Sequence, residues 1–223
     1  MQLALETSTN TCSVAFKNDK AEVYERRTEV RGSHSEQLFL FIDELKKEYK
    51  FEIPDLDSVI VSEGPGSYTG LRISASAIKG LLFQQDVILL AANTLASFAA
   101  GVVVANDDIS RIQSIIDARR VHVYHQQFEV KADQLQAIGN VEVRPIKKFE
   151  QMVKDGDAII GTGIHRLDKK SISKVKIFDE SYISAKSLFA LQELDRSAQF
   201  IKEADIQSFD PKYYSSNQVA DNK

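Results

Sequence analysis

A glycine-rich loop, between an apolar run and a helical pattern, contains the residue types most suggestive of chemistry. Its sequence "GPGSYTG", residues 64–70, contains three glycines and one proline. A loop of this kind before a helix can bind phosphate through free backbone N–H groups, or hold a nucleophilic serine. It can also shape a surface for another protein, and the spacing of its residues decides among these three interpretations.

The spacing disfavours both phosphate binding and nucleophilic catalysis. A G-x-x-x-x-G-K-[ST] loop places its second glycine five positions after the first, whereas Gly64 is followed six positions later by Gly70. The G-x-S-x-G motif of hydrolases also fails, because Pro65 and Thr69 occupy the positions of its two glycines around Ser67. Ser67 is instead predicted to be the N-cap of the helix that follows.

Two predicted helices have more apolar side chains than a single core-facing stripe requires. The first begins at Ser33, with Glu36 completing a capping box, and the second begins after Ser67. Phe39 and Leu40 lie outside the main apolar stripe of the first helix, and small residues leave shallow grooves on the second. We therefore predict that both helices bind a partner protein. The residues assigned to this contact are Leu38, Phe41, Ile42, Leu45, Ser67, Tyr68, Leu71, Ser74 and Ile78.

The composition limits the classes of function. A net charge of −4 argues against a dedicated nucleic-acid binder but leaves open a subunit of a complex that holds RNA. The single cysteine, Cys12, excludes an internal disulfide and a cysteine-rich metal site. No apolar stretch approaches the roughly 20 residues of a membrane span, and the N-terminus lacks the pattern of a signal peptide. We therefore expect a cytoplasmic protein with no membrane association.

The order of predicted elements indicates an α/β fold in two lobes. Three antiparallel strands within residues 2–27 are followed by alternating helices and strands, which implies a mixed sheet covered by helices. This order matches one lobe of the ribonuclease-H-like fold that actin-like ATPases share. We predict an N-terminal lobe over residues 1–105, with the partner-binding helices, and a smaller C-terminal lobe over 106–223 with a polar tail. Asn93 is expected to cap a third helix, and the last helix is expected near 184–203.

Four segments resemble the TsaB (YeaZ) family, over residues 2 to about 128. "GPGSYTGLRIS", followed by "IKGL", is similar to the family signature, and "ETSTNTCSVAF", "HSEQLFLFIDEL" and "DARRVHVY" resemble its other motifs. The resemblance implies an actin-like ATPase fold with two mixed sheets. It also implies a non-catalytic paralogue of TsaD that binds and activates TsaD. That enzyme system forms N6-threonylcarbamoyladenosine next to the anticodon of tRNAs that read codons starting with adenine.

The same resemblance implies the other components of the system. TsaC supplies threonylcarbamoyl-adenylate, TsaD transfers the group to tRNA, and TsaE joins through the TsaB–TsaD complex. In the family the two helices form the contact with TsaD, and they can also pair two copies of TsaB. The chain itself should need no cofactor, since ATP and Mg²⁺ are used by the complex, and it should meet tRNA only indirectly.

The resemblance also shows which catalytic equipment is missing. TsaD-like enzymes hold a metal through a His-x-x-x-His pair, whereas here His34 is followed at that spacing by Leu38, so we predict no catalytic residue and no metal site. A residual nucleotide site is left open by residues that match turns of the superfamily. They are Glu6, Thr7, Asp117, Gly161 and Gly163. The alternative function is a stand-alone ATPase or peptidase that uses the cleft between the lobes.

Two arginine clusters could approach tRNA held by the complex. One follows the third strand and the other lies beside Asp117, and solvated surface charge is the default interpretation of both. Their members are Arg26, Arg27 and Arg31 in the first cluster, and Arg119 and Arg120 in the second.

Overall fold

The computed structural model describes residues 1–106, 108–132 and 134–214, and the predicted polar tail from residue 215 onward lies outside this range. The strands in the described part are β1 (Gln2–Glu6), β2 (Cys12–Lys17), β3 (Val23–Thr28), β4 (Ser58–Gly64), β5 (Ile88–Asn93), β6 (Arg111–Asp117), β7 (His122–Lys131), β8 (Gln134–Pro145), β9 (Ala158–Gly161), β10 (Lys176–Phe178) and β11 (Ile201–Ala204). The α-helices are α1 (His34–Tyr49), α2 (Tyr68–Leu81), α3 (Thr94–Ala105), α4 (Ile146–Met152) and α5 (Lys186–Leu194).

These strands form two mixed sheets, as the sequence predicts. The first sheet has the order β11-β5-β4-β1-β2-β3, and the second has the order β10-β9-β6-β7-β8. In each sheet an antiparallel meander leads into parallel neighbours: β1 pairs antiparallel with β2 and parallel with β4. Similarly, β6 pairs antiparallel with β7 and parallel with β9. The two sheets therefore share a strand plan.

Helix α3 lies between the two sheets and belongs to a core that both share. Its sequence is apolar almost all round, which is typical of a helix buried on every side. The core around it combines Ala4 and Ile60 of the first sheet, Phe98 of α3, and Ile112 and Phe128 of the second sheet. The two sheets are thus joined by one continuous apolar cluster.

Helices α1 and α2 cover the opposite face of the first sheet. Leu38 of α1 and Ile78 of α2 pack with Leu3, Val14 and Val61 of the strands in a second apolar cluster. Each helix therefore packs one side against the sheet and leaves its opposite side facing outward.

The end of the chain corrects the prediction of a helix near 184–203. Helix α5 ends at Leu194, and Ile201–Ala204 forms β11, which pairs antiparallel with β5 of the first sheet. The carboxylate of Asp195 stops the helix, because it accepts backbone N–H groups from Gln199, Phe200 and Ile201 at 2.7–2.9 Å. The C-terminal segment thus returns to the first sheet, while the predicted lobe boundary at residue 105 stays a prediction.

Candidate functional site

The glycine loop packs closely against the turn that follows β1. The backbone N–H of Ser67 donates to the carbonyl oxygen of Ser8 at 2.6 Å, and the hydroxyl of Thr7 donates to the carbonyl oxygen of Gly70 at 2.9 Å. A Cβ atom at Gly70 would lie 2.0 Å from the carbonyl oxygen of Thr7, and one at Gly66 would lie 2.5 Å from that of Ser8. The glycines are therefore needed because two backbone segments approach each other without room for a side chain.

Two predicted helix starts differ in their outcome. Ser67 is confirmed as the N-cap of α2, since its hydroxyl oxygen accepts the N–H of Gly70 at 3.2 Å. The capping box of Ser33 with Glu36 is wrong: the Ser33 hydroxyl donates to the carbonyl oxygen of Val30 at 2.7 Å, and the helix N-terminus has no side-chain cap. The chain enters α1 through a turn that uses this hydroxyl as a donor instead.

The C-terminal segment crosses the other end of the glycine loop. Gly64 has a φ of +122°, and a Cβ atom there would lie 2.4 Å from the carbonyl oxygen of Lys212. The backbone N–H of Lys212 donates to the carbonyl oxygen of Glu63 at 2.7 Å. The next residue, Tyr213, packs against Tyr68 with ring centroids 5.0 Å apart. The start of α2 is therefore supported by residues more than 140 positions away in sequence.

The carboxylate of Glu6 is fully buried in the turn after β1. One oxygen accepts the backbone N–H and the hydroxyl of Ser8 at 2.6 and 2.5 Å, and the other accepts the hydroxyl of Ser62. Burial raises the pKa of Glu6 above its usual value, while these hydrogen bonds act in the opposite direction. The carboxylate thus organises its own turn, and its part in nucleotide binding stays a prediction.

Asp117 forms a second turn cluster with the "GTG" segment. Its carboxylate pairs with Arg166 and accepts the backbone N–H of Arg119 at 2.8 Å. Gly161 packs on β6, and the Cβ atom of Asp117 would lie 3.2 Å from a Cβ added at Gly163. The structure therefore brings together Asp117, Gly161 and Gly163, and it separately brings Glu6 and Thr7 to the glycine loop. Nucleotide binding by either cluster stays a prediction.

His34 lies in the interior of the protein, against the turn that follows β1. The ring of His34 is buried, and its Nε2–H donates to the carbonyl oxygen of Thr9 at 2.9 Å. Leu38, one turn further along α1, has no exposed surface. Within residues 1–106, 108–132 and 134–214, no three His, Cys, Asp or Glu side chains are grouped so that they could hold a metal ion.

The apolar stripes assigned to partner contact lie mostly in the core. Seven of the nine residues have an exposed fraction of 8% or less: Leu38, Phe41, Ile42, Leu45, Leu71, Ser74 and Ile78. They face the first sheet, because a helix that covers a sheet must bury its most apolar stripe there. This corrects their assignment to a surface contact, because these seven residues are part of the core of this chain. Ser67 and Tyr68 are exposed.

The outer side of the same two helices has the exposed apolar and small residues. Phe39, Leu40 and Tyr68 are 49%, 44% and 55% exposed. Ser76 and Gly80 lie on the outer side of α2, and a Cβ atom at Gly80 would meet no atom within 4 Å. We refer to these five residues as the α1–α2 surface. The sequence pointed to Phe39 and Leu40 as surplus, but it could not tell which stripe faces the core.

The fold and these turns define an α/β protein built on two mixed sheets that share one core. The model of the family TsaD, tRNA N6-adenosine threonylcarbamoyltransferase, matches residues 28–219. The chain therefore belongs to this family, and within it the chain is similar to the TsaB (YeaZ) proteins.

Relatives and solved structures agree with this assignment. The chain is 28% identical to the tRNA threonylcarbamoyladenosine biosynthesis protein TsaB of Bacillus subtilis, over 70% of this chain and 66% of that protein, just under two thirds. It is 28% identical to the TsaB protein of Haemophilus influenzae, over 72% of this chain and 71% of the other. The structure of YeaZ from Pseudomonas aeruginosa superposes with a TM-score of 0.79 at 23% identity, covering 96% of this chain and 99% of that one. This similarity confirms the predicted fold class.

None of the helices in the described part of the chain combines the length and apolar character that a membrane crossing requires.

Proposed function

We propose that this chain takes part in forming N6-threonylcarbamoyladenosine on tRNA by binding TsaD and activating it. The observation that carries the proposal is the α1–α2 surface, where Phe39, Leu40 and Tyr68 are exposed. Large apolar side chains grouped on one surface are typical of a protein interface. The names of the TsaB relatives and of the matching family support the biological context.

The shape of the α1–α2 surface suits another helix. Helix α1 has 16 residues and is about 24 Å long, so α1 and α2 side by side could supply a standard interface of about 800 Å² per partner. Ser76 and Gly80 allow a partner backbone to approach α2 closely, because neither fills the space above the helix. The aromatic and aliphatic side chains around them would bury apolar area on binding.

Activation by binding needs no chemistry from this chain. A partner shifts a conformational equilibrium only by binding one state more tightly than the other. We infer that docking holds TsaD in its competent arrangement, that TsaE joins through the resulting complex, and that two copies pair through the same surface when TsaD is absent. In this proposal the chain works in the cytoplasm and needs no cofactor of its own, while the complex uses ATP and Mg²⁺.

The proposal is tested by comparing Leu40→Glu with Val104→Glu. Both replace an exposed apolar helix residue by the same charge, but Val104 lies on α3, away from the α1–α2 surface. We expect Leu40→Glu to weaken TsaD binding at least tenfold in isothermal titration, because the charge would be buried in the interface, and Val104→Glu to leave it unchanged.

A modification assay completes the test. TsaC, TsaD and TsaE are supplied with threonine, bicarbonate, ATP and unmodified tRNA, and the chain is added or omitted. Modification should depend on the chain and fall with Leu40→Glu. Full modification without the chain would refute the activating role, and equal binding by the two variants would refute the assigned surface.

A further inference from the structure

The charge of the chain is distributed very unevenly. Residues 144–176 contain nine Lys and Arg against four Asp and Glu, a net charge of +5, whereas the whole chain has a net charge of −4. The remainder of the chain therefore has a net charge of −9. A polyanion would be repelled by most of this molecule and attracted to one part of it.

A hydrogen bond brings two pairs of lysines in this segment close together. The side chain of Glu150 on α4 accepts the backbone N–H of Asp168 at 2.6 Å. This bond places the loop with Lys169 and Lys170 beside α4, whose first turn contains Lys147 and Lys148. All four lysines are exposed, so their ammonium groups are accessible from outside.

The tip of the β6–β7 hairpin adds two arginines to the same side. The backbone N–H of Ile146 donates to the carbonyl oxygen of Val121 at 2.9 Å, so this tip lies against the start of α4. Arg119 and Arg120 at the tip are exposed. We call the six residues of this region the basic face: Arg119, Arg120, Lys147, Lys148, Lys169 and Lys170.

The basic face differs from other charged positions nearby in lacking acidic partners. Lys174 pairs with Asp155, and Lys176 pairs with Asp108. The neighbouring Asp117 is already engaged by Arg166. For the six residues of the basic face, by contrast, the described part of the chain contains no carboxylate within 4 Å of a charged nitrogen. Their positive charge is therefore available to an external anion.

We propose that the basic face binds the phosphate backbone of RNA directly, which gives this chain its own contact with tRNA. The identity of the RNA rests on the function proposed above, and the direct contact goes beyond it. Exposed lysines and arginines on one face are the electrostatic footprint of backbone binding, and they would position the tRNA without reading its sequence. About four phosphate contacts would make the affinity fall roughly 50- to 150-fold between 50 and 200 mM salt.

The test compares two double variants with equal changes in charge. Lys147→Glu/Lys169→Glu reverses two charges of the basic face. Lys20→Glu/Lys202→Glu reverses two exposed lysines of the first sheet region, one in the turn between β2 and β3 and one on β11. Binding of fluorescently labelled, unmodified tRNA is followed by anisotropy at several salt concentrations. The full chain is measured alone and mixed with TsaD, and complex formation with TsaD is measured separately by size-exclusion chromatography.

For the basic-face variant we expect a loss of about tenfold in tRNA affinity and a salt slope reduced by about two. The control variant should bind tRNA as the wild type does, and both variants should still co-elute with TsaD. Equal affinity of both variants, or no tRNA binding by the wild-type chain in either form, would overturn the proposal. Binding of the basic face to phosphatidylserine vesicles with no effect on tRNA would also overturn it and assign the face to a lipid surface. If the wild-type chain did not co-elute with TsaD, the proposed function would be refuted. The basic face would still be tested, because tRNA binding is also measured with the chain alone.

Discussion

The buried histidine of the second sheet makes a strong prediction about acid stability. His125 on β7 is 3% exposed, and its ring packs edge-on against Phe149 at 5.2 Å between centroids. Its Nε2–H donates to the side-chain oxygen of Gln113 at 2.8 Å, because the amide nitrogen of Gln113 donates to the carboxylate of Asp157 at 2.9 Å. The imidazole is therefore held in its neutral form with the proton on Nε2.

Protonation of this ring in the folded state is unfavourable. Burial, and to a lesser extent the charge of Arg144, lowers the pKa of His125 from 6.5 to about 3. Below pH 6.5 the unfolded chain binds a proton that the folded chain does not bind, so the free energy of unfolding falls as the pH falls. The free energy of unfolding should lose about 2 kcal/mol from this group at pH 5 and about 4 kcal/mol at pH 3.

Urea unfolding from pH 7 to pH 4.5 would measure this loss. The variant His125→Gln keeps a hydrogen-bond donor near Gln113 but cannot take up a proton, and His165→Gln at an exposed position is the matched control. We expect the difference between wild type and His125→Gln to shrink by about 2 kcal/mol between pH 7 and pH 5. Parallel pH curves for the wild type and His125→Gln would refute the buried neutral histidine.

Two further predictions concern the turn after β1 and helix α2. Because the pKa of Glu6 is raised in the folded state, its contribution to stability is present below about pH 4.5 and is lost as the pH rises through the folded pKa. Glu6→Gln should therefore stabilise the chain more at pH 7 than at pH 4, as measured in the same urea assay. Equal effects at both pH values would contradict this. Gly80→Ala should raise the free energy of unfolding by about 0.5–1 kcal/mol, because its Cβ atom meets open space. Gly70→Ala should lower the free energy of unfolding, because its Cβ atom would lie 2.0 Å from the carbonyl oxygen of Thr7. Similar effects of Gly70→Ala and Gly80→Ala would refute the close packing of the glycine loop.

Local sequence signals predicted the elements whose ends are set by nearby residues. The caps of α2 and α3 are examples, since Ser67 accepts the N–H of Gly70 and Asn93 accepts that of Ala96, each three positions away. The periodicity of apolar residues predicted that α1 is a helix, and the alternation of apolar and polar residues predicted the first three strands. The family and the fold class followed from the same short segments, because their motifs are contiguous in the chain.

Contacts between distant residues decided what these signals could not. Strand β11 resembles the continuation of a helix until Asp195 turns the chain and β5 offers it a free edge. In the same way, the spacing of the glycines argued against a phosphate cradle, but only the structure shows that Gly66 packs against Ser8 and Gly70 against Thr7.

The sequence by itself determined that α1 and α2 have more apolar residues than one stripe needs, because composition and spacing are local properties of each helix. Only the tertiary structure decided that Leu38 and Ile78 belong to the core while Phe39 and Leu40 face outward. The physical reason is that burial depends on which stripe meets the sheet, and the sheet is assembled from strands far apart in the chain. The basic face is likewise absent from any one segment, since hydrogen bonds between separate loops bring its lysines and arginines together.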